Sequence, residues 1–292
     1  MKIAVLGPIA KDYIEVDDQS IVQIGGIPYY VAVALQFLEV NQITPYITYG
    51  PQDADWAKQN FFGLNIKFLP AEKTLEGHIK YSTTNPDVRE HVIKSYNNTI
   101  QATPELLAEL EDYDYIIFGP LFHDNIPFEL FEKLQHKNLI LGNFGLFTYE
   151  ENGKFVRKNP QNLIKVLPFL KYLFLDKSEA EYASGQEGVE KSARYLQNQG
   201  LANMIITEGS QGSHLFIGDN YYKIPAFPPQ NLADTTGAGD TYLAAFIRSL
   251  ELFTDPQKQG RFAALVATAS LENKGAFRGN LKDILKRLET II

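Results

Sequence analysis

The stretch from residue 232 to residue 252, "LADTTGAGDTYLAAFIRSLEL", decides how the rest of the chain is read. Gly237, Ala238 and Gly239 stand between Asp234 and Asp240, immediately ahead of an apolar helical run. Residues with so little side chain let backbone N–H groups come close to a ligand, and the helix behind them points its positive end at the same place. That combination predicts an anion hole, suited to the charge of a phosphoryl group in transfer. A carboxylate at such a point needs a reason of its own. Asp240 is placed to take the proton of an attacking hydroxyl as a general base, although by spacing alone capping of the helix would be the commoner role.

Composition narrows the alternatives. The chain has 292 residues, enough to bury a large core. Its 27 Lys and Arg against 35 Asp and Glu leave a net charge of −8, which points away from nucleic acid and from anionic membrane surfaces. The absence of cysteine excludes disulfides, thiolate zinc sites and a cysteine nucleophile. His78, His91, His123, His136 and His214 have no metal-ligand spacing. No apolar segment reaches the roughly 18 to 20 residues that cross a bilayer. The N-terminal "MKIAVLGPIAKDYIEV" reads as a first strand and its loop rather than a signal peptide. The expected location is the cytoplasm.

Short, continuously apolar runs, "KIAVLG", "DYIIFGPL", "NLILGNF", "YLFLD" and "NMIITEG", predict parallel strands covered on both faces. Between them lie helical segments: "TPELLAELEDY", with Thr103 as N-cap and Pro104 at the first position, "IPFELFEKLQHK", and "GVEKSARYLQNQG", closed by Gly200. The succession predicts an α/β fold, a doubly wound, mostly parallel sheet with helices on both faces, over residues 1–292 as one domain. Residues 13–24 and about 76–100 break the rhythm with part-alternating β-branched and aromatic residues. They read as strands of a small projecting sheet, a lid, with edge strands of the main sheet as the alternative.

No G-x-G-x-x-G follows the first strand, so a dinucleotide site is poorly supported, and no G-x-x-x-x-G-K-[ST] occurs. The segment "DTTGAGDTYLAAF", by contrast, resembles the C-terminal signature of the ribokinase-like, or phosphofructokinase-B type (PfkB), carbohydrate kinases. Other stretches fall in that family's order. "GPIAKD" resembles the end of its first strand, with Asp12 at the substrate-binding aspartate. "QIGGIPYYVAVAL" resembles its double-glycine substrate loop, with Gly25 and Gly26 in place. "YGPQD" matches a further turn through Gly50 and Asp53. "LDKSEAE" resembles its N-x-x-E motif, with Glu179 at the glutamate. "ITEGSQGS" resembles its nucleotide-side loop through Thr207, Gly209 and Gly212.

The resemblance implies ATP-dependent transfer of the γ-phosphoryl group to a hydroxyl of a sugar, polyol or nucleoside. Asp240 would be the base, the amides of 237–240 the anion hole, and Mg²⁺, organised indirectly by Glu179, the bridge between phosphates. The nucleotide pocket would lie between "IPAFPPQNLA" and the helix containing "VATASLENKGA", with Asn273 and Asp176 on its side. Many members bind a monovalent cation, which would map to Asp234 and Thr236, so K⁺ joins ATP and Mg²⁺ as an implied cofactor. Lid strands in that family often pair between subunits, so a homodimer and a monomer with a bare lid are both expected forms.

The departures concern the substrate. Tyr30 stands where ribokinases and fructokinases carry a sugar-binding asparagine, and Ala10 replaces another. Asp176 replaces the asparagine of N-x-x-E. These changes argue against ribose and weaken fructose. "FGPLFHDNIP" followed by "LGNFGLF" resembles a branch that includes inositol kinases, though without its polar residues, which ranks a polyol such as myo-inositol slightly ahead of a nucleoside. A phosphorylated acceptor would call on Lys11, Lys80 and Arg89 and ranks lower. The other function class is a ligand-binding or regulatory protein that kept the fold and lost turnover; an intact GAGD disfavours it, because a sensor has no use for the base.

Overall fold

The computed structural model describes residues 1–16, 19–82, 85–94, 96–142 and 144–291, and of residues 16, 19, 79, 81, 82 and 85–91 the backbone alone. Asn143 and the side chains of Arg89 and His91 therefore lie outside the described residues. The chain opens with β1 (Lys2–Pro8), the antiparallel pair β2 (Ala10–Val16) and β3 (Gln19–Gly25), and α1 (Ile27–Phe37). β4 (Gln42–Tyr49), α2 (Ala54–Asn60) and β5 (Lys67–Pro70) lead to a second antiparallel pair, β6 (Leu75–Ser82) and β7 (Asn85–Lys94). Regular alternation follows: α3 (Pro104–Leu110), β8 (Tyr115–Phe118), α4 (Phe128–Lys133) and β9 (Asn138–Gly142). A short hairpin, β10 (Thr148–Glu151) and β11 (Lys154–Arg157), precedes α5 (Gln161–Ile164), β12 (Leu170–Asp176), α6 (Lys177–Ser184), α7 (Val189–Gln197) and β13 (Asn203–Thr207). β14 (Ser213–Ile217), β15 (Asn220–Ile224), α8 (Ala238–Leu252), α9 (Pro256–Leu271) and α10 (Leu281–Glu289) complete it.

The main sheet has the order β15-β14-β13-β12-β9-β8-β1-β4-β5, parallel from β13 to β5 and antiparallel across β13-β14-β15. Its strands are apolar throughout because both faces are covered. Ile3, Val5, Ile117, Ile140 and Ile205 face the layer that holds α1, α8 and α9. Ala4, Leu6, Ile116, Phe118, Leu139 and Ile206 face the layer that holds α3, α4, α6 and α7. Successive residues thus enter opposite cores, as period-two geometry requires.

Local signals act as their chemistry dictates. Thr103 Oγ1 accepts the N–H of Leu106 at 3.2 Å and starts α3. α7 ends at Gln197, ahead of Gly200, because the N–H groups of Gln199 and Gly200 bond back only three residues, to Leu196 and Gln197, a tightening common in last turns. Gly200, with φ 100°, then turns the chain towards β13.

The two arrhythmic stretches form a separate four-stranded sheet, β3-β2-β6-β7. It begins at Ala10 and ends at Lys94; residues 96–100 carry no strand. β1 lies between β4 and β8, so strand order reverses there and a crevice opens beyond the carboxyl ends. β2 leaves β1 after one intervening residue, which roots the small sheet at that crevice.

α8, which starts at the glycine stretch, is fastened from below. Phe246 is fully buried, with Tyr172 and Phe174 edge-on to it, both at 5.7 Å between ring centroids. Replacing it by Ala is expected to lower the unfolding free energy by about 3–5 kcal/mol in urea denaturation. A loss under about 1 kcal/mol would mean that α8 is anchored elsewhere.

Candidate active site

The glycine stretch builds the end of the crevice. Gly237 holds φ 73° and ψ 8° as the N-cap of α8, and no side chain caps the helix. Asp240 is therefore not a cap; it is the third helical residue. The first amides of a helix have no intrahelical partner, and here Ala238 N–H makes only a 3.4 Å bond to Thr235 O. The two glycines differ in what they answer to. A Cβ at Gly237 would lie 2.2 Å from Tyr30 Cδ1, while a Cβ at Gly239 would meet nothing within 4 Å. Packing and backbone conformation demand the first glycine; among the described residues no neighbour demands the second. Burial pushes the Asp240 carboxyl up to about 7, which sets it near neutrality as a proton acceptor.

On the side of the small sheet, Asp12 lies on β2 opposite Gln23 of β3. A Cβ on Gly25 would meet Asp12 Oδ2 at 2.6 Å, and one on Gly26, whose φ is 103°, would meet Pro8 O at 2.6 Å. The double glycine thus lets the carboxylate lie against bare backbone. Burial pushes Asp12 up to about 6. Tyr30 is elsewhere: it is 2% exposed, its ring lies beneath Gly237, and its hydroxyl accepts from Gln23 Nε2 at 3.2 Å. It forms the wall behind the loop and offers almost no surface to a ligand. Gln23 Nε2 also reaches Asp234 Oδ2, at 3.5 Å.

Two lysines on this side are paired. Lys11 Nζ donates to Asp53 Oδ1 at 2.8 Å and sits 5.0 Å from the Trp56 ring, while Thr74 Oγ1 donates to Asp53 Oδ2 at 2.7 Å. Lys80 pairs with Glu15 at 3.4 Å.

The other side of the loop opens into a cavity of about 610 Å³, within the size range of small-molecule sites. Thr207, Gly209 and Gly212 line it together with Ala226, Phe227, Leu232, Ala264, Thr268, Leu271 and Gly239. Both stretches expected to enclose a nucleotide therefore meet around one apolar space. Asn273 is not among the lining residues; it is exposed, and its Nδ2 donates to Ala269 O at 3.3 Å. Asp234 accepts from Thr236 N at 2.9 Å and Gly275 N at 3.3 Å.

Asp176 and Glu179 form a reciprocal capping box on α6, with Glu179 N to Asp176 Oδ1 at 2.7 Å and Asp176 N to Glu179 Oε2 at 2.8 Å. Glu179 is 6% exposed. Burial first, and then the nearby Asp176 carboxylate, hold it well above the usual carboxylate range. Asp176 is exposed and is the carboxylate with oxygen to spare. Among the described residues no group of three or more His, Cys, Asp or Glu gathers as a metal cluster.

Arg157 also reaches this point, at the end of β11, and sequence reasoning missed it. Its hairpin had a signal: Asn152-Gly153, at φ 53° and 76°, is the pair that two-residue hairpin turns select.

The contrast between the glycines is testable. Gly239→Val is expected to keep the unfolding free energy within about 0.5 kcal/mol while weakening nucleotide binding at least tenfold in a fluorescence titration. Gly237→Val is expected to lose stability by over about 1 kcal/mol, because it adds both a strained φ and a clash with Tyr30. Equal stability loss in the two would sink the distinction.

The model of the pfkB family carbohydrate kinases matches residues 34–283. A 1-phosphofructokinase from Borreliella burgdorferi is 31% identical over 235 residues, 77% of this chain and 68% of that protein. A nucleoside kinase from Methanocaldococcus jannaschii is 29% identical over 130 residues, 44% of this chain. That match spans 42% of the nucleoside kinase, and several other curated relatives are matched over 25% to 33% of their length. Among solved structures, a pyrophosphate-dependent kinase in the ribokinase family, complexed with a pyrophosphate analog and myo-inositol, superposes with a TM-score of 0.81. Its identity is 24%, over 98% of this chain and 99% of that one, a likeness of fold.

Proposed function

The chain belongs to the pfkB family of carbohydrate kinases, and we propose that it transfers the γ-phosphoryl group of ATP to a hydroxyl of a small uncharged sugar, polyol or nucleoside. One observation carries the reading: Asp240 follows a glycine loop with an apolar cavity on one side and, reached through Tyr30 and Gln23, Asp12 with its two glycines on the other. A purine fits the cavity against Phe227, Leu232 and Leu271, and its phosphates then reach the N–H groups of residues 237–240. Asp12 accepts from an acceptor hydroxyl, with Gly25 and Gly26 leaving room beside it.

Asp240 takes the proton of the attacking hydroxyl as its oxygen bonds to the γ-phosphorus, the bond to the β-phosphate oxygen breaks, and ADP leaves. The loop amides hold the charge that spreads over the phosphoryl oxygens. Asp176, the exposed member of the capping box, fits a magnesium ion kept mostly by phosphates and water; that ion would neutralise charge between the phosphates. Asp234 and Thr236 remain the proposed neighbours of a monovalent cation. The small sheet acts as the lid that excludes water, and Ile21 and Val22 of β3, both 47% exposed, favour pairing of lids in a homodimer.

A pyrophosphate donor, as in the solved neighbour, is the second reading. The apolar cavity disfavours it, because pyrophosphate has no group to fill such a space. Among the described residues, the two lysines that a sugar phosphate would call on, Lys11 and Lys80, already have carboxylate partners, which favours an uncharged acceptor.

The test is a coupled ADP-release assay with Mg-ATP and K⁺ against inositols, hexoses, pentoses, their monophosphates and nucleosides, beside Asp240→Asn. A hit is expected among the uncharged acceptors, with kcat falling about 10²-fold or more in the variant. Turnover retained in the variant would overturn the role of Asp240; silence across the panel with ATP still bound would favour the non-catalytic alternative. The base must be ionised to act, so kcat is expected to rise with pH through about 7 and level off above it. The same burial makes the ionised carboxyl a cost to the fold that grows as pH rises through that value. Asp240→Asn is therefore expected to melt no lower than the parent at pH 8.

A further inference from the structure

The β10-β11 hairpin places a cation at the first turn of α6, where Asp176 is paired across the sheet with the cavity-lining Thr207. Arg157 ends β11, paired with Thr148 across the hairpin. Its Nη1 and Nη2 both donate to Ser178 Oγ at 3.1 Å, and Ser178 Oγ in turn donates to Asp176 Oδ1 at 2.7 Å. Its guanidinium carbon lies 5.9 Å from the Phe147 ring centroid and 6.0 Å from that of Tyr182. Two rings thus hold the side chain in place, while both terminal nitrogens share one neutral hydroxyl. Among the described residues it makes no ion pair, in contrast to Lys11, Lys80 and Lys177.

An arginine so held, with its planar fork spent on a serine, is matched to an anion that presents two oxygens at once. The anion expected here is a phosphate chain. Ser178 follows Asp176 in the first turn of α6, and the carboxyl of Glu179 in that turn is in electrostatic reach of both Arg157 and Asp240. Asp176 adds a negative charge on this side of the crevice, which raises the need for a positive partner to a polyanionic donor.

We propose that Arg157 is the donor-phosphate cation of this chain, its guanidinium exchanging Ser178 Oγ for the terminal phosphate oxygens of the nucleotide while Phe147 and Tyr182 keep it within reach. The proposal rests on the reading of a nucleotide donor at residues 237–240. The rival is a structural staple that fastens the hairpin to α6.

The experiment titrates fluorescent N-methylanthraniloyl ATP, ADP and AMP into the wild type, Arg157→Gln, Arg157→Lys and Ser178→Ala, with melting temperature and turnover measured beside binding. Arg157→Gln is expected to weaken the triphosphate tenfold or more and the monophosphate less than twofold, with melting unchanged within about 2 °C. Arg157→Lys keeps the charge without the fork and is expected to fall between. Ser178→Ala releases the guanidinium and is expected to hold or tighten triphosphate affinity. Equal weakening of all three nucleotides, or a fall in melting temperature that tracks the loss, would overturn the proposal in favour of the staple. Unchanged triphosphate affinity in Arg157→Gln would overturn it while the nucleotide reading stands. A wild type that binds none of the three would overturn both.

Discussion

The contact between the Tyr30 ring and the bare Cα of Gly237 is the constraint on which the site depends. It joins α1 to the first turn of α8 at a separation that leaves no room for a Cβ. The loop amides are aimed by what lies beneath them, and a ring is a flat, stiff support. The same tyrosine ties its hydroxyl to Gln23 on the lid strand β3. Burial holds that hydroxyl above its ordinary value, so it stays a neutral partner. Loop, helix and small sheet meet at one side chain.

The electrostatics around this support are asymmetric in a way that suits phosphoryl transfer. Two carboxyls, Asp12 and Asp240, are both held above their usual range by burial, one on the lid and one at the loop. Each is therefore a stronger proton acceptor near neutrality than an exposed carboxylate. Lys11 and Lys80, on the side proposed for the acceptor, are bound to Asp53 and Glu15, which suits a neutral hydroxyl-rich molecule. On the side proposed for the donor, the first turn of α8 and the cavity wall supply positive dipole and apolar surface, which match a nucleotide.

Much of this was legible in the residues. Continuous apolar strands announced a sheet covered on both faces, and the glycine stretch announced the loop, because both depend on neighbours in sequence. The remainder depends on partners far along the chain. Lys11 reads as a free cation until Asp53, 42 residues away, is seen to hold it. Tyr30 sits at a position that suggests substrate contact, but a bulky ring there is driven into the core, and only the approach of Gly237 explains its use. Asn273 falls in the expected segment yet bonds back to its own helix. The hairpin carrying Arg157 was marked by Asn152-Gly153, a local signal passed over because the flanking strands, four residues each, are too short to show a period.

The path from β1 into β2 has a consequence for binding. A single residue, the buried Ile9, separates the two strands, so Asp12 belongs mechanically to the small sheet while Asp240 belongs to the large one. In the proposed reaction the two carboxylates that grip an acceptor hydroxyl and deprotonate it ride on different bodies. The acceptor itself is then the gauge of closure: a molecule whose hydroxyls span the gap draws the bodies together, and one too short to bridge them leaves the base out of range. Selectivity by length, rather than by a dedicated side chain for each hydroxyl, follows from where the chain crosses between sheets.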